Sequence, residues 1–279
     1  IALCEKAGER IMKAIEVHDL KKNYKIAKKE AGIVGSLKHL VSPRYEELPA
    51  VKGISFQIAQ GESVAFLGAN GAGKSTTIKM LTGIMHPSGG TIKVMGKDPF
   101  SDRIENAKKI GVVFGQKTQL WWDIPVEETF RLLKKIYEIP EEQYIKNMEK
   151  FSNILGLREF MNQPARKLSL GQRVRADLAA ALLHDPPILF LDEPTIGIDV
   201  AVKQKIYVFL KEINRERKTT ILLTSHDMKD LESLCDRLII LEKGEILFDN
   251  KMNRLFEIYG ESLSLEEIII ELFEHRRVS

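Results

Sequence analysis

The feature that most constrains how this chain folds is a glycine-rich stretch, residues 68–75, which directly follows a short apolar run, residues 63–67. The run is apolar enough to be a strand buried on both faces of a sheet, and residues 76–83 have the pattern of a helix. Glycine permits the tight backbone turn that a strand needs when it passes directly into a helix. A buried strand, a glycine turn and a helix in this order predict an α/β fold.

The glycine-rich stretch reads Gly-Ala-Asn-Gly-Ala-Gly-Lys-Ser and has the spacing of a phosphate-binding loop. Its backbone N–H groups can point inward around a polyphosphate, and the helix that begins near Lys74 directs its positive end to the same place. Lys74 is expected to neutralise the charge of the β- and γ-phosphates, and the Ser75 hydroxyl is expected to reach Mg²⁺. The predicted contacts of the loop are Gly68, Asn70, Gly71, Gly73, Lys74, Ser75 and Thr76.

A second apolar run, residues 188–191, ends in the acidic pair Asp192-Glu193. A carboxylate at the carboxyl end of a strand in such a sheet faces the crevice where ligands bind. Asp192 is the predicted Mg²⁺ ligand, acting through the water shell of the ion, and Glu193 is the predicted general base for an attacking water. A capping pair before Pro194 is the alternative interpretation of the same two residues. Together with the phosphate loop, the pair predicts a nucleotide hydrolase.

Most of the chain alternates between strand and helix patterns, which predicts a P-loop core with a mostly parallel sheet. Residues 15–18 and 54–58 alternate like half-buried strands, and we assign them to an antiparallel β subdomain. Residues 124–165 are rich in Glu and Lys with apolar residues at helical spacing, which predicts an inserted helical subdomain. The predicted organisation is a single domain over residues 12–279, made of an α/β core (12–123 and 166–250), the helical subdomain (124–165) and a C-terminal helical extension (251–279).

The composition argues against several classes of protein. A net charge of +3 argues against nucleic-acid binding by net charge alone. Two distant cysteines, Cys4 and Cys235, argue against a disulfide framework or a four-ligand zinc site. The apolar runs are much shorter than the roughly 20 residues of a membrane-spanning helix, and the first residues lack the apolar stretch of a signal peptide. A regular pattern begins at Met12, so residues 1–11 are interpreted as a tag remnant or an upstream extension.

Further motifs occur in a fixed order around the first two. Residues 168–172 read Leu-Ser-Leu-Gly-Gln, Gln116 follows a short apolar strand pattern, and Gly197-Ile-Asp199 and His226 lie after the acidic pair. This order resembles the ATP-binding cassette (ABC) ATPases, whose signature is normally Leu-Ser-Gly-Gly-Gln. The resemblance covers about residues 15–250, and within the family the chain is similar to the separate ATPase subunits of bacterial exporter-type transporters.

The resemblance implies a role for each of these motifs. Ser169, Gly171 and Gln172 would face the γ-phosphate of an ATP molecule held by the opposite subunit of a head-to-tail dimer. His226 would contact the γ-phosphate, and Asp199 would cross the dimer and link its two sites. Gln116 would sense Mg²⁺ and phosphate and act as a Mg²⁺ ligand.

The resemblance also implies the cofactors, partners and location of the chain. The cofactors would be ATP and Mg²⁺, and the catalytic residues Glu193, His226 and Gln116. The partners would be a second copy of the chain or a homologous ATPase subunit, together with integral membrane permease subunits at the cytoplasmic face of the cell membrane, and no nucleic acid is expected.

The chain departs from the family pattern in three places. Leu170 replaces the first signature glycine, whereas the retained Gly171 is the one expected near phosphate. Residues 21–47 carry a cluster of lysines and are interpreted as a long basic loop or short helix, either in contact with the permease or lipid headgroups or simply solvated. Trp121 and Trp122 follow Gln116, where they are anchors for the permease or, alternatively, one of them packs in the core of the helical subdomain.

Two questions stay open from the sequence. The aromatic residue that stacks on adenine is Tyr24 or Tyr45, and Tyr24 is favoured because it follows the first strand directly. The alternative function is that of an ABC ATPase acting on ribosomes or DNA without a permease. Relatives of that kind usually carry two cassettes, a long coiled coil or zinc hooks, and this chain carries one short cassette pattern. A P-loop kinase is a third possibility, but it would leave the 168–172 motif and His226 without a purpose.

Overall fold

The computed structural model describes residues 12–27, 45–115, 117–195, 197–225, 227–260 and 262–275. The strands in these parts are β1 (Lys13–Ala27), β2 (Tyr45–Ala59), β3 (Ser63–Gly68), β4 (Gly89–Val94), β5 (Ile110–Phe114), β6 (Ile188–Asp192), β7 (Thr220–Thr224), β8 (Arg237–Glu242) and β9 (Glu245–Lys251). The helices are α1 (Lys74–Leu81), α2 (Arg103–Lys109), α3 (Val126–Ile136), α4 (Glu141–Leu155), α5 (Leu170–Leu182), α6 (Val200–Arg217), α7 (Met228–Leu234), α8 (Asn253–Tyr259) and α9 (Leu265–His275).

The larger sheet has six strands in the order β5-β6-β7-β3-β8-β9. The first five strands run parallel to one another, and β9 pairs antiparallel with β8 at the edge. Strand β3 lies inside this sheet, and every one of its residues is buried, as its apolar sequence predicts. The predicted α/β fold with a mostly parallel sheet is confirmed.

The smaller sheet has three antiparallel strands in the order β2-β1-β4. It packs on the large sheet through side chains that alternate along β3. Val64 and Phe66 point into the core shared with the small sheet, whereas Ala65 and Leu67 point into the core shared with the helices. Strand β3 therefore joins both cores, and its last residue begins the glycine-rich turn.

The interpretation of residues 21–47 as a loop or short helix is wrong for the part that the structure describes. Residues 21–27 and 45–47 continue β1 and β2, which pair antiparallel from Lys21 opposite Lys52 to Ala27 opposite Tyr45. In the described part of β1, Lys21 and Lys25 are exposed, and charged residues are common at exposed strand positions. Cross-strand contacts such as the hydrogen bond from Asn23 to Glu47 (3.0 Å) stabilise the pairing. Residues 28–44 lie outside the described residues.

Helices α3 and α4 lie in the segment for which the sequence predicts a helical subdomain. The apolar face of each helix is buried through Phe130 on α3 and Phe151 on α4. The Phe151 ring packs edge-on against Phe209 of α6, with 5.5 Å between the ring centroids. Such an aromatic pair contributes about 1 kcal/mol beyond the burial of its surface, so it fixes the segment to the core of the large sheet.

Helices α8 and α9 pack against the same core. Leu255 of α8 and Leu265 and Ile268 of α9 are fully or almost fully buried there. Across the described ranges, no helix combines the length and the apolar character that a membrane-spanning segment requires.

Candidate functional site

The carboxyl ends of three neighbouring parallel strands lie at one edge of the large sheet. Strand β3 ends at Gly68, β6 at Asp192 and β7 at Thr224, and the strands are adjacent in the order β6-β7-β3. Because parallel strands place their carboxyl ends together, the phosphate loop, the acidic pair and the loop that follows β7 meet at this edge.

The phosphate loop needs glycine where the backbone passes close to other backbone atoms. A Cβ atom on Gly68 would lie 2.3 Å from the Leu241 carbonyl oxygen, and one on Gly73 would lie 2.7 Å from the Ala50 carbonyl oxygen. Gly73, which has a φ of 106°, is the residue directly before α1. The loop is therefore held between β8 and β2 in a conformation that side chains would prevent, with Asn70 and Gly71 exposed on its outer side.

Lys74 is the first residue of α1, and its side chain is buried under the loop. The ammonium group donates hydrogen bonds to the carbonyl oxygens of Gly68 (2.5 Å) and Ala69 (3.3 Å). Burial lowers the pKa of Lys74, while the charges of Glu193 and Asp192 act in the opposite direction. A cation that burial has stripped of water in this way gains strongly from an anion placed nearby.

Ser75, Asp192 and Thr224 form a chain of hydrogen bonds between the phosphate loop and the two neighbouring strands. The Ser75 hydroxyl donates to Asp192 Oδ1 (3.3 Å), and the Thr224 hydroxyl donates to the same oxygen (2.8 Å). A hydroxyl beside a single carboxylate suits Mg²⁺, which takes one or two protein carboxylates and completes its shell with water and phosphate oxygens. Among the described residues there is no cluster of three or more His, Cys, Asp or Glu that would hold a metal without such help.

Glu193 follows Asp192 in the left-handed backbone region, with a φ of 54°. Its N–H donates to the hydroxyl (3.0 Å) and to the carbonyl oxygen (3.1 Å) of Thr224. A Cβ atom on Gly115 would lie 2.0 Å from the Glu193 carbonyl oxygen, so the end of β5 also presses against this turn. Strain of this kind persists only where the surroundings determine the conformation, and here it fixes the direction in which the carboxylate leaves the backbone.

Glu193 lines a cavity of about 400 Å³ beside the sheet edge, together with Gly197 and Ser225. A buried carboxylate, Asp230, ties the walls of this cavity together. It accepts hydrogen bonds from Thr195 (3.2 Å) and Ser225 (3.3 Å) and pairs with Lys203 (3.5 Å). The loops that follow β6 and β7 are thereby fastened to α6 and α7.

The signature segment begins helix α5. Ser169 is the N-cap, and its hydroxyl accepts a hydrogen bond from Gln172 N–H (3.2 Å), while the Gln172 side chain accepts one from Ser169 N–H (2.9 Å). This capping box leaves the first turn of α5 at the surface with its positive end outward. A Cβ atom on Gly197 would lie 3.0 Å from Leu170, so the residue that replaces the signature glycine packs against the segment before Asp199.

Asp199 is the N-cap of α6 and accepts a hydrogen bond from Val202 N–H (3.0 Å). Tyr24 lies near the phosphate loop, because its hydroxyl is 3.2 Å from the Thr76 hydroxyl on α1. Tyr45 lies at the far end of the β1–β2 pair, opposite Ala27, and 58% of its surface is exposed. This placement favours Tyr24 as the adenine contact, and its role stays a prediction.

Two predicted catalytic residues, Gln116 and His226, lie outside the described residues. Sequence reasoning overlooked Thr224 as an organising residue, although a hydroxyl at the carboxyl end of a strand next to Asp192 was a usable signal. It also overlooked Asp230 and Gly115, whose importance comes from contacts between distant segments. Neither indole is a core residue, because Trp121 is 43% and Trp122 50% exposed.

Comparison with known proteins decides the family. Residues 51–196 match the ABC transporter family. The chain is also similar to the ABC transporter ATP-binding protein NatA of Bacillus subtilis, with 35% identity over 208 residues, which is 75% of this chain and 84% of that protein. The chain belongs to the ABC transporter family.

Other relatives of this ABC protein differ in size. The Nod factor export ATP-binding protein I of Ralstonia nicotianae is 32% identical over 85% of the chain and 76% of its own length. ABC transporter A family member 1 of Dictyostelium discoideum is 33% identical over 84% of the chain, which spans only 26% of that larger protein. The ABC pattern is therefore found both in proteins of similar length and as part of much longer ones.

A solved ABC structure has the same fold. The ATP-binding cassette MJ0796, described as a dimer in a post-hydrolysis state with ADP and Pi, is 27% identical, with a TM-score of 0.69 over 85% of this chain and 98% of that one. The family and this structure identify the chain as an ATP-binding subunit with ATPase activity.

Proposed function

We propose that this ABC ATPase dimerises head to tail around two ATP molecules and drives a separate membrane permease from the cytoplasmic face of the cell membrane. The observation that carries the proposal is the contact of Ser75 with Asp192, which joins the phosphate loop to the carboxylate at the end of β6. A transporter subunit of this kind must convert ATP hydrolysis into a movement that another chain can use.

The residues of the strand edge divide the chemistry between them. Backbone N–H groups of the phosphate loop and the ammonium of Lys74 bind the phosphates, and Ser75 and Asp192 hold the cation. Mg²⁺-ATP, when bound, supplies the phosphoanhydride bond and the charge that these donors neutralise. Glu193 accepts a proton from the attacking water, and the hydrogen bonds from Glu193 N–H to Thr224 fix its backbone.

Helix α5 is proposed to serve the nucleotide of the opposite subunit. Ser169 and Leu170 at its start are exposed, so the Ser169 hydroxyl and the positive end of this 13-residue helix lie at the surface. An anion held by another molecule is a suitable partner for such a helix start. The dimeric MJ0796 cassette supports this arrangement. Asp199, Gln116 and His226 are proposed to keep the dimer-linking and phosphate-sensing roles that the family pattern implies.

Glu193→Gln tests the dimer and the general base together. The substitution removes the basic oxygen but keeps the shape of the side chain, so we expect hydrolysis to fall by about 100-fold or more while ATP binding is retained. With Mg²⁺ and ATP the variant is expected to accumulate as a dimer, measured by size-exclusion chromatography with light scattering. An ATP-bound variant that remains monomeric would contradict the composite site.

We further propose that the partner is a polytopic permease and that the direction is export. Two exposed indoles at Trp121 and Trp122 offer an anchor for a partner chain, and aromatic residues of this kind dominate binding energy at interfaces. The export protein among the relatives supports the direction. The test is purification of the tagged chain from a detergent extract of its own cells. Recovery with a polytopic membrane protein supports the proposal, and recovery with ribosomes or DNA alone would favour the permease-free alternative.

A further inference from the structure

A short segment between β5 and α3 is fastened to the signature helix at several points. This segment, residues 117–123, is named here the tryptophan strap, because it holds both tryptophans of the chain. It leaves β5 with a hydrogen bond from Lys117 N–H to the Phe114 carbonyl oxygen (2.9 Å), and it ends where Asp123 lies 3.6 Å from Arg166. The strap therefore runs from the edge of the nucleotide site to the turn before the signature segment.

Asp177 of α5 is the main attachment of the strap. Its carboxylate accepts hydrogen bonds from the Thr118 hydroxyl (2.9 Å) and from Gln119 N–H (2.9 Å). In return, the Gln119 side-chain amide donates to the Asp177 backbone carbonyl oxygen (2.7 Å). Three hydrogen bonds thus join two consecutive strap residues to one residue of the helix.

Asp177 is an unusual residue for its position. All residues of α5 are described, and among its buried residues Asp177 is the only charged one, at 5% exposure. Burial raises the pKa of Asp177 to about 6, although the strap hydrogen bonds and the charge of Arg173 oppose the shift. A carboxylate kept in such surroundings costs stability, and here its Oδ1 accepts both strap hydrogen bonds.

A second attachment holds the end of the strap that carries the indoles. The Arg173 guanidinium lies over the Trp122 ring, 5.6 Å from its centroid, and the Trp122 carbonyl oxygen accepts a hydrogen bond from Arg166 N–H (3.1 Å). A small cavity lined by Thr118, Asp177 and Leu170 separates the strap from the first turn of α5. The contacts with Asp177 and Arg173 nevertheless connect the exposed indoles to the helix that carries the signature turn.

We propose that Asp177 is a positioning residue that makes the tryptophan strap and the signature helix move together, so that nucleotide engagement at the start of α5 is transmitted to Trp121 and Trp122. The proposal rests on the proposed function, because it assumes that α5 meets a nucleotide in the dimer. It adds a specific linkage from one carboxylate to the surface on which a partner chain would act.

Tryptophan emission reports on the strap, because the two indoles of the strap are the only ones in the protein. The experiment uses the full chain with Glu193→Gln, titrated with Mg²⁺ and ATP. ATP binding is measured separately by equilibrium dialysis with radiolabelled ATP. Three variants are added to this background. Asp177→Ala removes the side-chain oxygen that accepts the strap hydrogen bonds, and Asp177→Asn keeps one such oxygen. Thr118→Val removes a single hydrogen-bond donor of the strap.

We expect the parent to change its emission when ATP binds. The ATP affinity of Asp177→Ala should lie within about twofold of the parent's. Its emission change should be about fivefold smaller, which is the size of effect expected for a residue that carries coupling between sites. Asp177→Asn should restore most of the response, and Thr118→Val should give an intermediate one. With Glu193 intact, Asp177→Ala should lower kcat by about fivefold and leave KM for ATP nearly unchanged.

Asn147→Ala is the matched control for general loosening. Asn147 is also a buried polar residue of a helix, and its amide donates to the Leu183 carbonyl oxygen (3.0 Å) away from the strap. The proposal is overturned if the parent binds ATP without an emission change, if Asp177→Ala keeps the full response, or if Asn147→Ala loses it equally. If Asp177→Ala does not fold, a full response in Thr118→Val overturns the proposal. If neither the parent nor any variant binds ATP, the result would instead contradict the proposed function itself.

Discussion

Two regions of the molecule, the strand edge and the start of helix α5, are built in opposite ways. At the strand edge, Ser75, Asp192 and Thr224 are joined by hydrogen bonds from three different elements, and Lys74 is buried beside them. At the start of α5, the side chains of Ser169 and Gln172 bond to backbone N–H groups within the same turn, and Ser169 and Leu170 are exposed.

The two regions differ in whether their binding partners lie in the same chain or in another molecule. The strand edge holds its own geometry, because contacts from distant parts of the chain hold Ser75 and Asp192 in place. The start of α5 is locally complete, and its helix end and hydroxyl face outward, where an anion from another molecule would meet them. Substitutions at the strand edge should therefore affect nucleotide binding and chemistry within one chain, and substitutions at α5 should affect steps that need two.

The largest effect is expected from Lys74→Ala at the strand edge. The ammonium is the one cationic side chain of the phosphate loop, so its loss should weaken ATP binding by about 100-fold, the worth of charge-assisted hydrogen bonds. Equilibrium dialysis with radiolabelled ATP measures this affinity. Lys79→Ala, near the other end of α1, is the control and should leave it unchanged. Equal affinity of the Lys74 variant and the parent would refute the assignment of the loop.

The phosphate loop and the acidic strand end were predictable because each is encoded in a few consecutive residues. Strand, glycine turn and helix follow one another from Ser63 to Leu81, so local spacing is sufficient. The contact of Asp177 was not predictable, because its partner Thr118 lies 59 residues away in the sequence and no local pattern marks it. Thr224 carried a weaker signal, a hydroxyl at the carboxyl end of an apolar strand, but its partner Asp192 is 32 residues away. The extension of β1 was hidden by lysines, which occur at solvent-facing strand positions.

A second prediction concerns the carboxylate that joins the strap to α5. Asp177 has a pKa of about 6 in the folded protein, whereas in an unfolded chain an aspartate has a pKa of about 3.9. Between these values the folded state binds more protons, so this residue favours folding fully below pH 3.9 and loses that contribution as the pH rises through 6. Asp177→Asn cannot ionise and should gain stability relative to the parent over the same interval.

The gain is bounded by the size of the pKa shift. A shift of about two units corresponds to at most about 3 kcal/mol of unfolding free energy between pH 4 and pH 7. Urea unfolding of the parent and of Asp177→Asn at a series of pH values measures the difference. A difference that stays constant over this range would show that Asp177 does not titrate as its burial implies.

A third prediction compares the two ends of strand β7. Thr224 and Thr220 are both fully buried, and the hydroxyl of Thr220 accepts a hydrogen bond from Gly61 N–H (2.9 Å), far from Asp192. Thr224→Val removes the donor to Asp192 and should lower kcat by about tenfold, because the carboxylates lose their fixed positions. ATP affinity should change much less.

Thr220→Val is the matched control for the loss of a buried hydroxyl. Both variants should lose about 1–3 kcal/mol of unfolding free energy, since each leaves a buried partner without its hydrogen bond. Steady-state hydrolysis and urea unfolding, measured side by side, separate the two effects. An equal fall of kcat in both variants would mean that Thr224 acts through stability alone.

The smallest effect on stability, and the sharpest test of the comparison, comes from two helix starts of the same type. Ser169 begins α5 and Ser264 begins α9, and each forms a capping box with the residue three positions later. Replacing either serine by alanine should cost about 1 kcal/mol of unfolding free energy, because each variant loses one cap. Only Ser169→Ala should also reduce ATP-dependent dimerisation of the Glu193→Gln protein, measured by light scattering, since only that hydroxyl is proposed to meet a nucleotide across the dimer. If both variants dimerise like the parent, the start of α5 is an ordinary helix cap. The strand edge of one chain and the start of α5 of another would then not share a nucleotide.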